Sequence, residues 1–417
     1  MTTEIRTVPV EDMLGWLRSM RTGLLADPGN IDEPQLDRWR ATWEPDRTFG
    51  AYADGRCVGT LRTFGTLLSV PAGPGCTAQL PADALTQVSV AGTHRRQGLL
   101  RGMLTRSLAD ARERGEVFSY LRAAEWQIYG RFGYQPASFA ANYRINTGNP
   151  LLTVRPGREP VEIRHAEPAD ARAEAPQVLD RIRQQQAGHI ERTKRMWDWK
   201  FGLHPAPGTR EPICVLARTA AGRVDGYALW TPNDGNWFHE SDQQAQAAVH
   251  EVLAATEDAE RALWNYLIHL DLVRVLTLTE YPVDLPLEWL VSDGRTVRRT
   301  WIGDDTWLRI LDLPAALRTR RYAVADRLVL QVIDDEGGYA QGRFLLDAGP
   351  EHAECRPSTE SADLQLSQRA LAGIYLGGST VRAQRLAGLL EEETPGAADR
   401  LQLMFATERA PWNASPF

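Results

Sequence analysis

Between Val88 and Leu108 the chain reads VSVAGTHRRQGLLRGMLTRSL, a strand running into a turn and then an amphipathic helix. The first N–H groups of such a helix have no intrahelical acceptor and point outward, which suits an anion such as a diphosphate. Gly98 lets backbone come close to phosphate oxygen. Arg95 and Arg96 add planar donors matched to the same oxygens. From His94 to Arg114 six arginines stand against two acids, in a chain of formal net charge -7. The positive site is therefore local. The spacing is not a P-loop, because no G-K-[ST] follows, and it lacks the G-x-G-x-x-G of a dinucleotide fingerprint. By itself the run also fits arginines coating a solvated helix face.

The elements around this turn are legible from periodicity. Val88 and Val90 share one face of a strand candidate, Leu85 to Val90. Leu100, Met103, Leu104, Leu108 and Ala111 form one helical stripe, with Gly115 as its stop. Upstream, helices over Val10 to Arg40 break at Asp27-Pro28-Gly29. Two strands flank the Asp54-Gly55 turn, and Val70 to Leu80, rich in Gly and Pro, reads as a loop. Phe118 to Ala123 is a strand, and the end of EWQIYGRFGYQPASFAANYRI reads as paired strands. A second unit repeats the strand–helix–strand order without a glycine-containing turn. A third begins near Asp312-Leu313-Pro314 with a helix, then a hairpin over Arg327 to Leu346. Asp334-Asp335-Glu336 reads as the solvated tip of that hairpin, without an EF-hand pattern. The run VRAQRLAGLLEE reads as a helix.

Composition bounds the function. The chain has 417 residues, 43% hydrophobic and 24% charged, which suits a folded protein of about three domains. Cys57, Cys76, Cys214 and Cys355 are scattered, against a disulfide framework or zinc ribbon. The negative balance disfavours a nucleic-acid coat or a polybasic membrane anchor. Acids precede any apolar run at the start, against a secretory leader, and no run of 18 apolar residues spans a membrane. His239-Glu240 lacks metal-protease spacing, so no metal is expected, and the expected location is cytoplasmic.

Strand, R-R-x-G-x-L and amphipathic helix resemble the acetyl-CoA motif of the GCN5-related N-acetyltransferases, although Leu100 stands where a small residue is usual. THRRQGLLRGML followed by IYGRFGY is similar to the Eis-type aminoglycoside acetyltransferases, a branch with leucine at that place. The resemblance covers the whole chain and implies an α+β fold of two tandem acetyltransferase-like domains (1–150 and 151–310, the second degenerate). A sterol-carrier-protein-like domain (311–417) follows, whose tail reaches the active site. It further implies that Val88, Val90, Arg95, Arg96, Gln97, Gly98, Leu99 and Leu100 hold acetyl-CoA. Tyr129 would protonate the leaving thiolate, and the C-terminal carboxylate of Phe417 would be general base. Taken alone, Tyr129 fits packing and Phe417 fits a frayed end.

Trp43, Phe118, Glu125 and Trp126 are candidates for the acceptor pocket, aromatics for sugar or aliphatic surface and Glu125 for ammonium groups. The expected activity is acetylation of primary amines on a polycationic acceptor such as an aminoglycoside, at several positions, by a homohexamer. Protein lysines or polyamines are the alternative acceptors. A lipid carrier working through the C-terminal domain is the alternative class, and an open apolar tunnel under the hairpin would support it. A degenerate acetyltransferase acting as a scaffold is a third.

Overall fold

The computed structural model describes residues 3–29, 31–149, 151–203, 210–233, 245–415 and 417; His239-Glu240 lies outside them. In chain order the first unit holds β1 (Thr3–Thr7), α1 (Met13–Gly23), α2 (Glu33–Arg40), β2 (Thr48–Ala53), β3 (Arg56–Pro71), β4 (Thr77–Val90), α3 (Leu99–Glu113), β5 (Phe118–Leu121), α4 (Trp126–Tyr129) and β6 (Gln135–Pro136). Then follow β7 (Phe139–Asn146), β8 (Val161–Ala166), α5 (Pro168–Arg183), α6 (Lys194–Lys200), β9 (Ile213–Thr219), β10 (Val224–Asn233), β11 (Gln246–Ala254), α7 (Glu257–Ile268), β12 (Val275–Pro282), α8 (Leu287–Leu290), β13 (Val297–Asp304) and β14 (Trp307–Ile310). The last unit is α9 (Leu313–Thr319), β15 (Asp326–Ile333), β16 (Gly342–Ala348), β17 (Ala353–Pro357), β18 (Leu364–Ser367), α10 (Gln368–Tyr375), α11 (Val381–Leu386), β19 (Leu390–Glu392) and α12 (Ala397–Met404). No helix among the described residues is long and apolar enough to cross a membrane.

Three mixed sheets result, ordered β1-β2-β3-β4-β5-β14-β6, β13-β7-β12-β11-β10-β9-β8 and β17-β16-β15-β18-β19. The first two do not part at residue 150. β7 sits inside the second sheet, and β14 returns to the first between β5 and β6. Alternation along FAANYRI marks a strand but not its neighbour, so the exchange was invisible in the sequence.

Two other expectations change. Val70 to Leu80 is not a loop, because β3 and β4 pair up to Pro71↔Thr77. Only the residues between them turn, where Gly73 and Gly75 take φ of +125° and +63°. Leu68 and Val70 are buried against the third unit, which keeps that end of the hairpin extended. VRAQRLAGLLEE likewise splits: Gly388 at φ +70° ends the helical run, and Leu390–Glu392 pairs with β18.

The third unit packs directly on the first sheet. Leu328, Leu330, Val332, Phe344 and Leu346 of the hairpin share one buried cluster with Leu371 and Tyr375 of α10 and with Phe118 and Tyr120 of β5. The hairpin thus covers a buried apolar cluster that it shares with the first sheet. Asp334 is not a solvated tip. It is buried, accepts N–H groups from Ala340 (3.1 Å) and Glu336 (3.3 Å), and pairs with Arg309 of β14 at 3.2 Å. The aspartate folds back into its own turn to meet a cation that arrives from the first sheet.

Candidate active site

Pairing between β4 and β5 is parallel from Ala82↔Phe118 to Leu85↔Leu121 and then stops. β4 continues to Val90 while the chain after Leu121 turns away toward α4, so a wedge opens between them. Against β3, the register shifts between Thr60↔Ser89 and Arg62↔Thr86, which inserts one extra residue into β4 and puts Gln87 at φ +55°. The Ala91 N–H donates to Val58 O at 2.8 Å. By strand alternation the N–H groups of Val90 and Val88 point the other way, into the wedge.

At the top of the wedge Arg96 (φ +61°) and Gly98 (φ +79°) bend the backbone into α3. The first helical bond runs from Gly102 N–H to Gly98 O at 2.9 Å. No side chain caps the helix, and the N–H groups of Gln97 to Arg101 meet no acceptor among the described residues. A Cβ on Gly98 would meet nothing within 4 Å, so the glycine is required by its positive φ, not by crowding. Of the six arginines, Arg101 pairs with Glu336 at 2.9 Å, and Arg114 pairs with Glu116 at 3.1 Å and Asp83 at 3.3 Å. Arg95 and Arg96 are exposed and make no ion pair among the described residues. Free amides, open space and two uncommitted guanidinium groups fit the diphosphate of an acyl-CoA.

The second sheet repeats the geometry without the chemistry. β11 and β12 are parallel from Gln246↔Val275 to Val249↔Leu278 and then diverge. Here, however, the Thr256 side chain already caps the helix, and Glu257, Asp258 and Glu260 occupy its first turn. That end repels an anion. Replacing Arg95 and Arg96 together by alanine should weaken CoA binding about 10-fold at low salt and less at high salt. Calorimetry at two ionic strengths measures it, and a loss independent of salt would deny them a phosphate contact.

Tyr129 closes α4 and is buried on the α3 face of the sheet, in one cluster with Leu85, Leu121, Leu99 and Met103. Its ring meets Tyr134 edge-on at 5.9 Å, and Tyr134 in turn holds Ser119 Oγ at 2.6 Å. Burial, with a smaller push from Glu125, raises the Tyr129 hydroxyl to about 12. It therefore stays protonated at neutral pH, as an acid must. Phe417 lies on the other face. Phe64, Ala84 and Tyr120 form one cross-strand row, and the Phe417 ring packs at 5.6 Å from Phe64 and 5.8 Å from Tyr120. The small Ala84 side chain leaves room for it. Tyr129 and Phe417 thus flank the wedge from opposite sides of the sheet.

The remaining candidates separate. Phe118 is fully buried, 5.1 Å from Tyr375, and belongs to the seam with the third unit rather than to an acceptor pocket. An aromatic between apolar neighbours gives no sign of which layer covers it. Trp43 packs edge-on against Trp16 and Trp39 at 5.4 and 6.5 Å, and its indole N–H is spent on Val8 O at 2.9 Å. Glu125 is exposed just before α4, and Trp126, 55% exposed, lies 5.1 Å from Trp307.

Two charged residues the sequence reading passed over lie one step along from the Phe417 seat. Arg62 is 7% exposed beside the Trp39 and Trp43 rings (5.4 and 5.7 Å), donates to Thr42 O, and has no partner on Nε among the described residues. Burial and the neighbouring Arg195 bring it down to about 10. Arg122 is matched by Glu280 at 2.6 Å and Asp305 at 3.1 Å. An arginine interrupting the apolar alternation of β3 was the available signal for Arg62.

Comparison with known proteins agrees with this layout. Acetyltransferase (GNAT) domain families match residues 4–137 and 188–310, and a sterol carrier protein domain matches 313–414. An uncharacterized N-acetyltransferase of Streptomyces griseus is 37% identical over 99% of both chains. N-acetyltransferase Eis of Mycobacterium tuberculosis is 33% identical over 86% of this chain and 85% of its own. The crystal structure of Eis1 from Mycobacterium abscessus superposes over 100% of both chains with a TM-score of 0.83 and 29% identity.

Proposed function

Because this chain belongs to the Eis-type GCN5-related N-acetyltransferases, we propose that it acetylates primary amines of an amine-rich small molecule of the aminoglycoside class, at more than one position. The observation that supports acetyl-CoA as donor is the open wedge of unsatisfied amides ending at the Gly98 turn, with Tyr129 on one side and Phe417 on the other. When bound, acetyl-CoA supplies an activated acyl carbon.

The chain's own groups do the rest. The N–H groups of Val88 and Val90 sit where a thioester carbonyl would need a donor. The α-carboxylate of Phe417 takes a proton from the acceptor amine, directly or through one water, as the N–C bond forms. Tyr129 gives its hydroxyl proton to the departing sulfur as the C–S bond breaks. Both groups return to their starting states by exchange with solvent, leaving an amide and free CoA thiol. The third domain serves this chemistry by carrying the tail. The reading includes a homohexamer, for which the exposed apolar side chains Trp289, Trp301 and Ile302 offer contact surface.

One observation favours a second acceptor class. Arg62, next to the Phe417 seat, makes no ion pair among the described residues and feels Glu44, which is paired with Arg47, only through longer-range attraction; this suits an amine that also carries an anionic group better than a dense polycation. Turnover of acetyl-CoA against aminoglycosides, polyamines, a lysine peptide and anionic amines separates the readings. Tyr129→Phe should slow transfer to every accepted amine about 100-fold and leave CoA affinity unchanged. An unfolded variant would return Tyr129 to packing, and a full-rate variant would remove it as the acid.

A further inference from the structure

The last residues of the chain do not reach Phe417 unsupported. They run along the second unit, where β11 and β12 have diverged. Gln186 Nε2 donates to Ala410 O at 2.9 Å, and the Trp412 N–H donates to Ala187 O at 3.0 Å. The Trp412 ring stacks 6.1 Å from Tyr281, and its indole N–H reaches Glu280 O at 2.9 Å. Gly188, at φ +98°, admits this segment, since a Cβ there would stand 2.7 Å from the Trp412 backbone.

The strongest fixture is charged and buried. Arg192 is 6% and Glu251 2% exposed, joined at 2.5 and 3.0 Å. Tyr227 donates to the same carboxylate at 2.6 Å, and Lys200 lies 3.3 Å from it. Burial alone would raise Glu251, yet Arg192 and Lys200 hold it down at about 2. Glu251 uses only part of the Arg192 fork. Of the remaining donors, one Nη1–H reaches the Tyr227 hydroxyl at 3.4 Å and two go to the tail: Nε to Ser415 Oγ at 2.9 Å and Nη2 to Ala414 O at 2.6 Å. From there Phe417 is two residues on, at most about 7 Å of chain.

We propose that Arg192, held by Glu251, is a positioning residue for acetyl transfer: it clamps Ala414 and Ser415 so that the Phe417 carboxylate meets the acceptor amine. A domain that has lost its anion cradle is thereby kept as the clamp for the catalytic tail. The inference rests on Phe417 acting as base.

Arg192→Met, the charge-neutral double variant Arg192→Met/Glu251→Gln, Ser415→Ala and Arg192→Lys test it in the full-length chain. The Met variants should lose at least about 10-fold in kcat with the acetyl-CoA KM within twofold, and Arg192→Lys should recover part of the loss. Hydrogen exchange of residues 410–417 should quicken, and deleting Phe417 from the double variant should cost little more. Unaltered kcat with a still-protected tail overturns the clamp, as do fully additive losses. If the Met variants do not fold, Ser415→Ala and Arg192→Lys decide by the same exchange and kcat readouts. Failure of the base reading looks different, because deleting Phe417 from the native chain would then leave turnover intact.

Discussion

Deleting Phe417 alone lowers kcat/KM about 100-fold, close to 2.7 kcal/mol of transition-state stabilisation, while CoA affinity stays within twofold. Two things leave with that residue. The terminal carboxylate retreats by one residue, roughly 3.5 Å, and the ring abandons its seat between Phe64 and Tyr120. A C-terminal carboxylate ordinarily ionises near about 3.5 and is a weak base in water. To act as a base it must be desolvated when the acceptor binds or be relayed through water. Two further variants separate charge from anchoring. Amidating Phe417 removes the charge and keeps the ring; Phe417→Ala keeps the charge and removes the ring. The base assignment requires the amide to lose nearly as much as the deletion, and the alanine variant to lose less. Unchanged turnover on deletion would take the carboxylate out of the mechanism. A loss confined to the acetyl-CoA KM would move Phe417 to the donor side.

The contrast between the two acetyltransferase-like sheets explains why only one can be asked to do this. Both splay a parallel strand pair beyond their fourth paired residue, and both lead toward a helix. One helix opens on Gly98 with free amides and two unpaired arginines; the other opens on a satisfied threonine cap and three acids. The two share the backbone geometry and differ in the side chains at the helix start. What the second unit offers instead is Glu251 of β11, buried with Arg192 from the connection between α5 and α6, against the tail.

How much of this was legible varied with the kind of signal. The Gly98 turn and α3 were readable because the code there is local: a strand, two arginines, a glycine at positive φ, and a stripe of apolar residues. The glycines of IYGRFGY were readable as glycines, but their reasons were not. A Cβ on Gly130 would come 3.1 Å from the Arg369 guanidinium of α10, and one on Gly133 would overlap the Arg309 guanidinium of β14. Both arginines are far away in sequence. The same holds for the Phe417 seat, where Phe64, Ala84 and Tyr120 are consecutive only across strands. Phe118 and Asp334 were misread for one reason, that a neighbouring layer decides whether a residue faces water. The β7 and β14 exchange belongs with them, because strand patterns carry no address.

Arg309→Met should destabilise the chain by about 3 kcal/mol, near the low end for breaking a buried ion pair. The side chain is fully buried and ties three segments together. Nη2 reaches Asp334 Oδ1 at 3.2 Å and Glu336 O at 2.6 Å, and Nη1 donates to Phe132 O. Removing the cation leaves a carboxylate that is almost as buried. The N–H groups of Ala340 and Glu336 still reach Asp334, which keeps the penalty at the low end. Adding Asp334→Asn removes the stranded charge and should recover more than half of the loss. Chemical denaturation of the two variants beside the parent measures this, and equal midpoints for single and double variants would mean that the stranded charge is not what costs. Phe132 follows Tyr129 by three residues in the same turn. The Met variant should therefore also slow transfer severalfold, with unaltered CoA affinity, because the acid loses part of its footing. A stability loss with transfer at full rate would show that the Arg309 contact carries the domain seam and leaves the Tyr129 turn to its own packing.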